Sequence, residues 1–167
     1  MRDLLRVAGA LLLFGVGAVH LYEYLADDYR DIPTIGVLFL VNFAGAVALG
    51  LLLLIPLGSL PVIRSVPAAG RAAHALVALG GIGFAAGTII GLMISETGTL
   101  FGFQETGYRT VIMVALGLES AAIVVLAAYV ALEAGRGSGS RGTSSRSRAR
   151  GRSSCRGPTS STSRSAP

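Results

Sequence analysis

The chain has 167 residues, 52% of them hydrophobic and only 14% charged, and a formal net charge of +5; a soluble domain would carry roughly a quarter charged residues. A mean hydropathy of +0.67 excludes an ordinary soluble domain. The positive charge is confined to one end: residues 1–134 hold six Arg against nine acids, and residues 135–167 hold eight Arg and no acid.

Four apolar runs, residues 4–25, 34–57, 71–94 and 108–132, each supply the roughly 20 helical residues that a bilayer requires. None alternates with period two, which argues against a membrane barrel. The expected fold is all-α: a four-helix transmembrane bundle over residues 1–134 with short loops. Residues 135–167 form an Arg/Ser/Gly-rich tail that lacks the apolar residues to bury a core and is expected to be disordered.

The first span follows a short basic start, with Arg2 and Arg6 straddling Asp3, and ends in HLYEYL. Its basic start and apolar run also fit a cleavable signal segment. Against cleavage, the helical pattern continues past the would-be cut into an aromatic, ionisable end. The next loop is acidic, with Asp27, Asp28 and Asp31 against Arg30. Pro33 fits only the first turn of the second helix, where Asp31 is placed to meet free backbone N–H groups.

The second span ends near Pro56, and a loop with Pro61, Arg64 and Pro67 leads to Arg71. In the third span Gly83, Gly87 and Gly91 recur every fourth residue. In lipid such a ridge allows close backbone approach, so these glycines are expected to serve helix packing and the third helix to be the most enclosed. Phe101, Phe103, Glu96 and Glu105 mark the following loop, whose aromatics suit headgroup level. The last span is expected to stop at Gly135.

Arg2, Arg6, Arg64, Arg71 and the tail arginines fall on one side, with Arg30 and Arg109 on the other. The positive-inside rule then places both termini in the cytoplasm. The tail arginines are suited to anionic lipid; without aromatics to stack on bases, nucleic acid is not an expected partner. Cys155, alone and without a ligand cluster, is assigned no role.

Polar residues inside the spans carry what functional signal there is. At 1.5 Å per residue, His20 and Thr88 lie roughly 9 Å below the outer helix ends, Asn42 roughly 12 Å and Glu119 roughly 15 Å. An ionised Glu at mid-bilayer costs at least about 2.5 kcal/mol, so Glu119 must face the bundle, carry a proton or meet a partner, and His20 is the natural one. Two readings are open. One is an outward-opening polar pocket of His20, Asn42, Thr88 and Glu119, with Glu23 and Tyr24 at its mouth. The other is a satisfied interhelical network that only sets register. His20 and Glu23, at i and i+3, supply two metal ligands but not the paired motif of a di-iron bundle, so no metal is assigned. His74 lies near the cytoplasmic end beside Arg71, roughly 15–20 Å in depth from His20; the two cannot ligate one haem, and no cofactor is expected. No nucleophile elbow, Walker loop or HExxH occurs, so the chain is read as non-enzymatic.

The segments HLYEYL, YRDIPTIGVLFLVNFAGA and LFGFQETGYR, and in them His20, Tyr29, Arg30, residues 32–36, Asn42 and residues 101–105, resemble small four-span integral membrane proteins of actinobacteria. The resemblance covers residues 7–133 and implies the fold and source but no activity. A looser similarity to DoxX-like four-span proteins is architectural only. Function is thus left between a membrane component that associates with itself or a partner protein, an outward-facing binding or transport element for a proton, metal ion or small solute, and, more remotely, a redox subunit.

Overall fold

The computed structural model describes residues 1–26, 29–57, 67–98 and 109–150. Helix α1 spans Arg2–Ala26, α2 Pro33–Leu54, α3 Pro67–Thr97 and α4 Thr110–Arg150, with a 3-10 turn at Tyr29–Asp31. Among the described residues there is no strand. Four helices are long and apolar enough to cross a membrane. This is a multi-pass, all-α membrane protein. The expected features at Asp27, Asp28, Arg64, Phe101, Phe103, Glu105 and Cys155 lie outside the described residues.

Helix boundaries follow proline chemistry. Ile32, with φ -99° and ψ 102°, caps α2 in extended geometry, the conformation that steric contact with a following Pro33 imposes. No side chain caps this start, and Asp31 instead lies 3.9 Å from Arg30, so the expected Asp31 cap does not form. At the far end Ile55 is extended before Pro56 while its N–H still bonds Leu51 O. The helix therefore stops at Leu54 and not Leu57.

The chain divides into two units, Met1–Glu133 and Ala134–Pro167. In the second unit residues 134–150 are helical, so the expected helix end at Gly135 is not seen. Residues 151–167 lie outside the described residues.

In the first unit the helices run up-down-up-down, as contacts at both ends establish. At one end Arg2 of α1 pairs with Glu133 of α4, and His74 of α3 reaches Ile55 O beyond α2 at 3.0 Å. At the other, Arg109 before α4 donates to the Tyr29 hydroxyl at 2.6 Å. Between them the bundle is close-packed in one half only. Ala10, Leu13, Leu53, Ala78, Leu126 and Tyr129 form a buried cluster toward the Arg2 end. Glycines permit this: a Cβ on Gly81 would come within 2.8 Å of Leu126, and one on Gly50 within 2.6 Å of the Phe14 ring.

The expected role of α3 is corrected here. A third of the α1 span is buried, 33% against 17% for α3, so α1 is the enclosed helix. A Cβ added at Gly83, Gly87 or Gly91 would meet nothing within 4 Å. This ridge joins no helix packing among the described residues, because the facing residues on the other helices stand back and leave a cavity.

Candidate functional site

Toward the Tyr29 end all four helices surround a cavity of about 470 Å³, within the size range of small-molecule pockets. His20 and Glu23 come from α1, Asn42 from α2, Thr88 from α3 and Glu119 from α4, and all five line it. Spacing explains the convergence: His20 and Glu23 are i and i+3 on one helical face, and α1 and α4 turn these faces inward. His20, Glu23 and Glu119 are 6%, 4% and 3% exposed. Gly83, Gly87 and Gly91 line the same space, a stretch about 12 Å long at 1.5 Å per residue. Phe39, Phe84 and Leu92 contribute apolar wall.

The His20 ring is oriented by its own helix. Nδ1 lies 2.9 Å from Val16 O, and since a carbonyl only accepts, Nδ1 carries the proton and donates. Nε2 then points at Glu119 Oε1, 3.9 Å away. That is too long for a direct hydrogen bond but close enough for the two groups to attract when His20 is protonated and Glu119 ionised. Thr88 donates to Ala85 O at 2.8 Å and lines the cavity together with Glu119. The polar wall thus places an imidazole nitrogen and a carboxyl group where a proton can reside on either.

Glu23 is held differently. Arg109 Nη2 lies 4.0 Å from Glu23 Oε1 while also donating to Tyr29. Its guanidinium carbon stands 5.6 Å from the Tyr29 ring centroid, a cation–π distance. Tyr29 stacks on Phe39 at 4.7 Å with a 15° interplanar angle, and Phe39 lies 5.6 Å from His20. A continuous set of contacts therefore links the 3-10 turn to the cavity wall. Gly36 lets this turn lie down: a Cβ there would sit 2.8 Å from Tyr29 O and 3.0 Å from Arg30 Cα.

Arg109 meets both Glu23 and Tyr29, and Tyr24, expected at the mouth, does not line the cavity. The sequence signals were an Arg on the arginine-poor side and a Tyr in the quoted resemblance, but neither reveals their pairing across 80 positions. His74 is also placed anew. It is buried, with Nδ1 2.9 Å from Gly70 O and Nε2 within 3.3 Å of Arg6. It ties α1, α2 and α3 together at the Arg2 end, away from the cavity. Among the described residues no three His, Cys, Asp or Glu side chains group as metal ligands.

No family model, curated protein or solved structure matches this chain. What the cavity does must be argued from its own chemistry. Its apolar walls accommodate an apolar body, and its one polar wall offers a protonatable pair.

Proposed function

We propose that this is a non-enzymatic, multi-pass protein of a bacterial plasma membrane that binds a small solute in the cavity at the Tyr29 end, as a binding or transport element. The observation that carries the reading is the convergence of three buried ionisable side chains, one from α4 and two from α1, on a cavity to which all four helices contribute. A network that only fixed register would close its polar groups against one another, whereas His20 and Glu119 stand 3.9 Å apart beside open volume. The alternative of an interaction subunit loses its main support, because the glycine ridge faces the cavity. Arginine placement favours cytoplasmic termini and an outward-facing cavity. The four-span resemblance to actinobacterial membrane proteins accords with this source.

The test is thermal unfolding of detergent-purified protein against a panel of small amphipathic solutes, with Gly87→Leu beside wild type. A solute at a hundred times its Kd stabilises by about 2.7 kcal/mol. Gly87→Leu, which enters open space, is expected to remain folded and lose that response. Equal responses in both proteins would put binding elsewhere and refute the cavity as the site.

A further inference from the structure

Charge accounting within the cavity selects a class of solute. Among the described residues, the ionisable groups around it are Glu119 from α4, His20 and Glu23 from α1, and Arg109, which precedes α4 and faces Glu23. α2 contributes Asn42 and α3 contributes Thr88 and Ser95, none of which carries charge. Arg109 offsets Glu23. The basic atom facing Glu119 among the described residues is His20 Nε2. A carboxylate so deep in a span needs a compensating positive charge. It obtains one either as a proton, on itself or on His20, or as a bound cation.

We infer that the cavity binds an organic monocation with an apolar body, which takes the place of one proton on the His20–Glu119 pair. The inference rests on the pocket reading above and names its ligand class. Phe39 and Phe84 in the wall suit a cation without hydrogen-bond donors, since aromatic faces attract such ions most strongly when water is excluded. The exchange balances. The pair with one proton is neutral, and the pair without it is a monoanion. A monocation entering the latter restores neutrality while one proton leaves to solvent. An anionic solute would meet the uncompensated carboxylate, and Arg109 is already engaged with Glu23 and Tyr29.

Benzyltrimethylammonium and its uncharged isostere neopentylbenzene separate the possibilities, because they share a shape and neither can carry a proton. Calorimetric titration of the full chain in detergent, repeated in two buffers of different ionisation enthalpy, counts protons released per cation bound. The expected result is cation binding with release approaching one proton, and affinity falling about tenfold per pH unit where the pair is protonated. Glu119→Gln is expected to abolish cation binding and proton release while leaving neopentylbenzene binding in place. Cation binding without proton release, or equal binding of both probes to wild type and Glu119→Gln, overturns the exchange inference and leaves the cavity as an apolar site. If Glu119→Gln does not fold, the proton count on wild type decides alone. Binding of either probe that Gly87→Leu does not weaken, or binding of neither, refutes the pocket itself.

Discussion

Alanine substitution of two glycines on neighbouring helices should move stability in opposite directions. A Cβ at Gly36 would lie 2.8 Å from Tyr29 O and 3.0 Å from Arg30 Cα, both backbone atoms that cannot rotate away. Relief requires the 3-10 turn to lift off α2, and overpacking of this kind costs about 1–3 kcal/mol. Lifting the turn also strains the Tyr29–Phe39 stack, a contact worth about 0.5–1.5 kcal/mol. Against this, replacing Gly by Ala inside a helix contributes roughly 0.5–1 kcal/mol. Gly36→Ala should therefore destabilise by roughly 0.5–4 kcal/mol net, taking these three ranges together. At Gly87 nothing lies within 4 Å of the new methyl, so only the favourable helix contribution of roughly 0.5–1 kcal/mol remains. Thermal unfolding in one detergent, followed by circular dichroism, reads both. At about 2–4 °C per kcal/mol for a chain of this size, Gly36→Ala should lower Tm and Gly87→Ala raise it. Near-UV circular dichroism should change only for Gly36→Ala, because Tyr29 moves. Shifts of the same sign in both variants would refute the assignment of one glycine to a tight contact and the other to open space.

Three further outcomes follow from contacts at the two ends. Tyr29→Phe keeps the ring stack but removes the acceptor for Arg109; losing a hydrogen bond to a charged group should cost about 1.5–3 kcal/mol, seen as a lower denaturation midpoint with fold retained. His74→Leu leaves Ile55 O without its side-chain partner, for about 1–3 kcal/mol, and should loosen the Arg2 end without altering solute binding at the cavity. The Arg2–Glu133 pair is partly solvent-exposed on the Arg side, so a double-mutant cycle with Arg2→Ala and Glu133→Ala should give a coupling of about 1 kcal/mol or less. A coupling several times larger would mean the pair acts as a buried bridge.

Much of this architecture was legible from the chain alone. Four apolar runs of bilayer length dictate four helices, because inside lipid a helix satisfies its own backbone hydrogen bonds. Pro33 and Pro56 mark helix edges through their fixed φ and absent N–H, whereas Pro67, read as part of the loop before Arg71, begins α3. His20, Glu23, Asn42, Thr88 and Glu119 stand out because polar residues are costly in a span, so each must turn toward protein or a cavity. That argument brings all five to one end of the bundle.

The tertiary structure decided which apolar faces meet. In water, a buried face is apolar and an exposed face polar, so sequence periodicity reveals both. In lipid both surroundings are apolar and helices associate through shape. The pattern Gly83, Gly87, Gly91 is therefore equally consistent with a helix contact and a cavity wall. It becomes a wall because Gly81, one face away, is the glycine against Leu13 and Leu126. The pairing of Tyr29 with Arg109 and the seating of His74 beneath Ile55 O likewise join residues far apart in sequence. No local rule connects them, since only the assembled bundle brings their helix ends together.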